Sequence, residues 1–320
     1  MQGKNRNPIL LRTVGKCGGS CEQRHGSDCL HATRSGNRTC RAFGYKKMIY
    51  HYTNIHSLAL ILESRKIRFT RLDGVDDIRE AQTVSGIQFG KYFFVSCWTK
   101  SSREHIPLWN MYTPDMQGVR IGFPDMPFKM SPLTAPQSWN FTQKGVIHSP
   151  LSFEEMFCEK YCILPVFLTQ KMFAGPVTYV PDMSVAYKEN VKLSLGVDGN
   201  QNRLQIKDMP SLPRTKDDDW AFQKEYRFVL LITPSIPVPS DGIGNRNFTD
   251  NFIQHVFSCF LGGIDPGIKY YDLKLDEEAI KSIDVTLGPR AELSDQLLVE
   301  ALLSKHSIQK RVNKSALAIR

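Results

Sequence analysis

Hydrophobic and polar positions fall into short, well-patterned segments from Met48 onwards. Residues 49–52 have the composition of a strand, and apolar side chains recur at helical spacing over residues 55–62. Thr53 or Asn54 can accept the free backbone N–H groups at the start of that helix. The pattern therefore predicts a short strand that runs directly into an amphipathic helix.

The same criteria predict elements along the rest of the chain. Further strands are expected at residues 67–71, 91–98, 117–123, 176–180, 225–232, 283–287 and 308–318, with a buried strand candidate at 162–168. Helices are expected at residues 106–112, 152–162 and 293–306, and loops or irregular segments at 72–80, 124–150, 183–215 and 236–247. Many strands and few regularly alternating helices indicate the α+β class, with central mixed or antiparallel sheets and short flanking helices.

Length and composition are those of a globular protein. Of the 320 residues, 41% are hydrophobic, which suffices for the core of one large domain or two small ones. We predict a single α+β domain over residues 48–320. The sequence holds no apolar run near the roughly 18 residues of a membrane helix and no visible secretory signal, so we expect a cytoplasmic protein without a membrane partner.

The positive charge is concentrated in the first 47 residues. The formal net charge is +9, of which residues 1–47 carry +8 and the remaining chain +1. This glycine-rich, polar segment predicts a disordered basic tail. It fits an arm that binds phosphates and, equally, a solvated segment without a partner, or a leader before a natural start at Met48.

The eight cysteines divide evenly between the tail and the body of the chain. The tail also holds His25 and His31, but its cysteine spacings of three, seven and ten residues are weak as a zinc pattern. The cysteines of the body lie among apolar residues and are expected to be reduced, buried thiols. They are Cys97, Cys158, Cys162 and Cys259.

Two distant segments carry the residues best suited to chemistry. Alternation along the predicted strand places Glu225 and Arg227 on one face, either as a structural ion pair or facing a cleft. His51 stands beside Thr53 where a strand meets a helix, and backbone N–H groups at a helix start favour anions. A lone histidine also fits a core position. The combination of these residues indicates one polar pocket.

Other charged side chains offer weaker alternatives. Arg68 and Arg71 can meet phosphates or be solvated. The acidic loop with Asp76, Asp77 and Glu80 allows a magnesium site, although solvated carboxylates are commoner there.

Several motifs in a fixed order resemble the bacterial family called domain of unknown function 2971. The resemblance covers residues 48–320. The motifs are Tyr50-His51-Tyr52-Thr53, Asp76-Asp77 to Glu80, Val95-Ser96-Cys97-Trp98, Leu108-Trp109-Asn110-Met111-Tyr112, Gly118 to Phe123, Trp220 with Lys224-Glu225-Tyr226-Arg227, Val285-Thr286-Leu287-Gly288 and Lys314-Ser315. The acidic loop departs from the family, which has Asn-Asp-Pro where this chain has Val75-Asp76-Asp77.

A second resemblance is to the ADP-ribosyltransferase pattern, including toxins that modify DNA, and it implies a fold of that type. It implies NAD as the substrate, no metal, and a nucleic acid or protein as acceptor, in phage defence or as a toxin. The residues it implies for catalysis are Glu225 and His51. For NAD binding it implies that His51 and Thr53 contact a ribose, that Tyr52 or Tyr92 stacks on the nicotinamide, and that Arg68 contacts the pyrophosphate. Ser96 and Arg227 are expected among the residues that bind NAD.

The implied chemistry gives the carboxylate a physical role. Cleavage of the bond between nicotinamide and ribose develops positive charge on the sugar, as in glycoside cleavage. A carboxylate at Glu225 would stabilise that charge more in the transition state than in the ground state. Two alternatives remain open: a non-catalytic module that binds a nucleotide or nucleic acid, and a metal-dependent nuclease that uses the acidic loop.

Overall fold

Local signals start and end the first helix as the sequence pattern predicts. Asn54 is extended, and its side chain accepts the backbone N–H of Ser57, so the helix begins at Ile55. Arg65 follows with a φ of 54° and turns the chain back into the next strand. A computed structural model describes residues 47–81, 83–139, 145–166, 170–194, 203–244 and 246–319 of the protein.

The elements are named in chain order. The helices are α1 Ile55–Ser64, α2 Ile106–Tyr112, α3 Phe153–Met156, α4 Gln170–Phe173, α5 Met183–Asn190, α6 Arg246–Gly262, α7 Glu277–Lys281 and α8 Leu293–Lys305. The strands are β1 Met48–Thr53, β2 Lys66–Arg71, β3 Phe93–Thr99, β4 Val119–Pro124, β5 Ser131–Pro132, β6 His148–Ser149, β7 Tyr161–Leu164, β8 Ala174–Pro176, β9 Thr178–Val180, β10 Val191–Ser194, β11 Arg203–Ile206, β12 Thr215–Asp217, β13 Glu225–Pro234, β14 Tyr270–Lys274, β15 Asp284–Leu287 and β16 Asn313–Lys314.

In the described residues, ten strands form one mixed, mostly antiparallel sheet. Its main path runs β14-β2-β3-β1-β4-β15-β16, and β13 pairs with β3, β7 and β8. Only the β15–β16 pairing in this sheet is parallel. With its flanking helices, the molecule has the predicted α+β class.

The sheet divides along one edge of β3. Strand β13 pairs with β3 from Phe93 to Thr99, so β1 and β2 share the opposite edge. There β2 pairs at Val95 and Phe94, whereas β1 pairs only through Tyr50 and Thr99. Away from these contacts, β1 pairs with β4 and β2 pairs with β14 instead of with β3. This leaves a gap beside the middle of β3.

Apolar side chains cover both faces of this sheet. Trp98, Phe69 and Phe228 belong to the larger core cluster, and Val95 and Val229 to a second cluster that includes side chains of α6. Contacts between Cα atoms group residues 45–320 into one compact unit. None of the helices described combines the length and the apolar character needed to span a membrane.

Several predicted elements need correction. The helix expected at 152–162 ends at Met156, because Tyr161–Leu164 forms β7 against β13. The segment expected to be irregular at 183–215 contains α5, β10 and β11. The final strand expected at 308–318 shortens to Asn313–Lys314.

Two further predictions, the disordered basic tail and the weak zinc pattern, concern residues 1–47. All but the last of these residues lie outside the described part of the chain. Of the four cysteines in the body, Cys162 and Cys259 are buried as expected, while Cys97 and Cys158 are partly buried, and all four are free thiols.

Candidate functional site

A cleft of about 230 Å³ opens where β1 and β2 separate. Both of the distant segments that the sequence analysis singled out contribute to it. Its lining residues are Tyr50, His51, Tyr52, Arg68, Thr70, Gly74, Val75, Asp76, Val95, Ser96, Cys97, Trp98, Thr99, Leu108, Tyr112, Lys216, Gln223, Glu225 and Arg227. The predicted single polar pocket is therefore present as a cavity.

His51 and Glu225 reach this cleft from different faces of the sheet. Thr99 pairs with Tyr50 on one side and with Glu225 on the other, so these three side chains share a face. His51 is one residue further along β1 and has the opposite orientation, with its ring 5.3 Å from that of Trp98. The gap between β1 and β2 lets both residues line one cavity.

The imidazole of His51 is fixed by the backbone of β3. Its Nδ1 lies 2.9 Å from the Cys97 carbonyl oxygen. Because a carbonyl oxygen only accepts, Nδ1 carries the proton and Nε2 of the neutral ring is an acceptor. Nε2 makes no hydrogen bond to the described residues. Burial lowers the pKa of His51 despite the opposing effect of the Cys97 hydrogen bond, which favours this neutral form.

Arg227 holds Glu225 from within the buried network. Nε and Nη2 of Arg227 donate to the two oxygens of Glu225, at 2.6 and 3.1 Å. The remaining donors bind both oxygens of Glu80 and the Pro213 carbonyl, which uses all five N–H groups of the guanidinium. Arg227 is 0% exposed, so its donors are not available to NAD. The contact between Arg227 and NAD that was expected from the sequence therefore has no free donor to make it.

Lys216 supplies the second buried cation of this network. Its Nζ lies 3.2 Å from Glu80 Oε1 and 3.4 Å from Glu225 Oε2, and it donates to Gln223. Two carboxylates and two cations thus balance, as burial of charge requires. Burial alone raises the pKa of Glu225, but the charges of Arg227 and Lys216 outweigh it and lower that pKa to about 2. Glu225 is an anion at neutral pH.

Arg68 lies at the open side of the cleft. Its Nε and Nη2 donate to Asp272 of β14 at 2.9 and 3.0 Å. The guanidinium also lies 3.7 Å from the centre of the Tyr270 ring. The side chain is 56% exposed, and three of its N–H groups have no partner in the described residues.

The other expected site residues have core-like surroundings. Tyr52 contributes to the cleft wall, but its ring packs edge-on against Trp109 with centroids 4.8 Å apart. Ser96 also lines the cleft and accepts the indole N–H of Trp98 at 3.0 Å. Thr53 is buried outside the lining.

Tyr92 lies away from the cleft. Its ring is fully buried in the second core cluster, packs on Phe260, and donates its hydroxyl to the Cys259 carbonyl. This position does not allow Tyr92 to stack on a ligand in the cleft, because Tyr92 directly precedes β3 and is not part of the cleft lining.

Several cleft residues were not found by sequence reasoning. Tyr112 at the end of α2 accepts a hydrogen bond from Gln223 at 2.8 Å. Burial and the neighbouring carboxylate of Asp76 raise the pKa of Tyr112, so its hydroxyl stays protonated.

Burial and the charge of Glu225 raise the pKa of Cys97, which makes this thiol a poor nucleophile. The sequence did not indicate that Lys216 is buried at the cleft, since a lone lysine in a polar segment normally lies in solvent.

The acidic loop has a structural role in this arrangement. Glu80 is 3% exposed and bound to Arg227 and Lys216, and Arg79 donates its backbone N–H to Asp77 and its guanidinium to Asp217. Within the described ranges, the grouping of acidic side chains that could hold a metal ion consists of Asp217, Asp218 and Asp219, not the acidic loop. Of the three carboxylates in the nuclease alternative, Glu80 is thus already engaged by two buried cations.

Comparison of the chain with models of known protein families, with curated proteins and with solved structures gave no match. The resemblance to domain of unknown function 2971 and to the ADP-ribosyltransferase pattern therefore stays a prediction.

Proposed function

We propose that this protein is an NAD-dependent ADP-ribosyltransferase that acts in the cytoplasm, in phage defence or as a toxin, on a nucleic acid or protein acceptor. The observation that carries the proposal is that an ionised Glu225 and a neutral His51 with a free Nε2 line the same cleft. The sequence motifs that resemble the ADP-ribosyltransferase pattern point to the same chemistry by analogy.

The cleft suits the nicotinamide ribose half of NAD. Nε2 of His51 can accept a hydroxyl hydrogen of the ribose, since Nδ1 is held by Cys97. Trp98 and Leu108 supply apolar wall for the nicotinamide ring. At about 230 Å³, the cavity lies below the 300–1,000 Å³ of pockets that bury a drug-sized ligand, so a dinucleotide would extend beyond it.

Glu225 is the proposed catalytic carboxylate. Glu225 accepts two hydrogen bonds from Arg227, a long one from Lys216 at 3.4 Å and one from the Cys97 thiol. A carboxylate has about four acceptor positions, so the ribose 2′-hydroxyl would take the place of the thiol, which is the weakest of these donors. Its negative charge stabilises the positive charge that develops on the ribose as the bond to nicotinamide breaks. Because Arg227 and Lys216 fix the carboxylate beforehand, little reorganisation is needed during the reaction.

One observation favours a second candidate, a nucleotide-binding module without turnover. Glu225 is 7% exposed and already bonded to two cations, as expected for a structural ion-pair network. Such a module would bind the same ligand through His51 and Arg68 and would tolerate Glu225→Gln.

The deciding experiment compares residues 48–320 as wild type and Glu225→Gln. Each is incubated with labelled NAD, alone and with DNA, RNA or cell lysate, and nicotinamide release and label transfer are followed. We expect wild-type turnover and a loss on the order of a hundred- to a thousand-fold in Glu225→Gln. Glutamine keeps the size of the side chain and one acceptor oxygen, and thermal unfolding of both proteins checks that the variant is folded.

The outcomes separate the candidates. Turnover that disappears in the variant supports the transferase, and the labelled species identifies the acceptor. Folded wild-type protein that binds NAD without turnover supports the binding module. Turnover that survives in Glu225→Gln contradicts the catalytic role of Glu225.

A further inference from the structure

The exposed side of the β2–β14 ladder continues the face of the sheet that carries Glu225. Thr70 pairs with Val95 of β3, and it shares this face with Arg68 and Lys66 of β2. Their direct partners on β14 are Tyr270, Asp272 and Lys274, which therefore project from the same face. Arg68 and Thr70 also line the cleft, so the cleft and this ladder form one surface.

Tyr270 provides a flat aromatic surface next to the cleft. Its side chain is 52% exposed, while one side of the ring is covered by the Arg68 guanidinium at 3.7 Å. Asp272 holds that guanidinium in place with two hydrogen bonds. The other side of the ring can stack on a base, because every nucleobase presents an aromatic face.

Positive charge surrounds this aromatic side chain. Three N–H donors of Arg68 remain unused in the described residues, and a guanidinium binds phosphate oxygens well. Lys66 and Lys274 lie directly opposite each other, an arrangement of like charges that an anion would relieve. Glu155 lies 3.3 Å from Lys274, but Lys66 has no ion pair in the described part of the chain.

A groove of about 320 Å³ runs along the same ladder. Lys66 and all five residues of the edge strand β14 line it, so that side chains from both faces of this strand contribute, together with Pro150, Leu151, Glu155 and Tyr161. The half of a dinucleotide that the cleft cannot hold thus has an adjacent surface with an aromatic ring and cations.

We propose that this surface, formed by Arg68, Tyr270 and Lys66, binds the adenosine diphosphate half of the dinucleotide, with the adenine stacked on Tyr270 and the pyrophosphate held by Arg68. The inference rests on the proposed function for the identity of the dinucleotide. It assigns the substrate selectivity to β14, a strand that the pattern of apolar and polar residues did not predict.

The test measures binding of ADP, NAD and nicotinamide mononucleotide to the full-length protein by isothermal titration calorimetry. The variants are Tyr270→Ala and, as the matched control, Tyr270→Phe, which keeps the stacking ring. We expect Tyr270→Ala to raise the Kd for ADP and NAD roughly tenfold or more and to leave that for nicotinamide mononucleotide unchanged. Tyr270→Phe should stay within about threefold of wild type for all three ligands. Because Tyr270 is half exposed, the variants should fold, and thermal unfolding checks this.

The outcomes distinguish this inference from the proposed function. ADP binding that is lost in Tyr270→Ala supports the inference, even if no NAD is turned over and the transferase function fails. Unchanged ADP affinity in Tyr270→Ala, or no ADP binding by wild type, overturns the inference, while NAD turnover by the same sample would leave the transferase function intact. Equal losses for nicotinamide mononucleotide and ADP would also overturn it, because the effect would then not be confined to the adenosine half.

Discussion

Arg227 and Arg68 both hold a carboxylate through two hydrogen bonds, but their surroundings differ. Arg227 is fully buried, and all five of its donors are used by Glu225, Glu80 and Pro213. Arg68 is 56% exposed and uses two of its five donors, both on Asp272. The same ion-pair chemistry thus uses every donor of the buried arginine and leaves three N–H groups of the exposed one without a partner in the described residues.

The largest effect is expected when the buried arginine, Arg227, is replaced. Arg227→Ala should lower the free energy of unfolding by about 3–5 kcal/mol, because Glu80 and Glu225 lose their shared partner in a buried position. Urea denaturation followed by circular dichroism measures this. The matched change on the surface, Arg68→Ala, should cost about 1 kcal/mol or less. Equal losses in the two variants would show that the buried Arg227 contributes no more to stability than the exposed Arg68.

The pH dependence of stability tests how strongly the buried cations hold Glu225. The pKa of Glu225 is lowered from 4.5 to about 2, so its contribution to stability is complete above pH 4.5 and is lost as the pH falls towards 2. Over that range wild type should lose about 3 kcal/mol more than Glu225→Gln, in which this group cannot titrate. Urea denaturation of both proteins at several pH values tests it, and parallel losses would show that Glu225 is not held by its cations.

A smaller effect is expected at the opposite wall of the cleft. His51→Ala should raise the Kd for NAD about tenfold, since one hydrogen bond to the ligand is lost. Because burial lowers the pKa of His51 from its ordinary value, wild-type affinity should decline at a lower pH than the protonation of an ordinary histidine would give. Calorimetric titrations with both proteins measure this. An affinity that already falls between pH 8 and 7 would mean that the ring is protonated in that range.

The smallest effect concerns a thiol that should not react. Burial and the charge of Glu225 raise the pKa of Cys97, so iodoacetamide at pH 8 should leave it unmodified in the folded protein. Mass spectrometry after digestion measures the modification, and protein unfolded in urea serves as the control. Rapid labelling of Cys97 in folded protein would indicate a more open site around Glu225.

The sequence predicted well where the signals are local. The strand at β1, the capped start of α1 and the whole of α2 follow directly from neighbouring residues. It did not predict α6, whose Phe248, Thr249, Phe252, Ile253 and Val256 are poor helix formers in isolation. Packing against the second core cluster stabilises this helix instead. The same reason explains the missed β14, which is fixed by its pairing with β2.

Local patterns were enough to predict the α+β class and the alternation that brings Glu225 and Arg227 to one face. His51 was expected at the start of a helix, but it lies within β1, opposite Ile121 of β4, and Asn54 caps the helix. Only the packed sheet shows that β1 and β2 separate on β3, that Glu80 completes the charge network, and that Tyr92 is in the core while Arg68 is at the cleft. Local patterns depend on residues a few positions apart. The pairing of Glu80 with Arg227, 147 residues apart, depends on how the whole sheet packs, because a buried charge is stable only where its partners are brought to it.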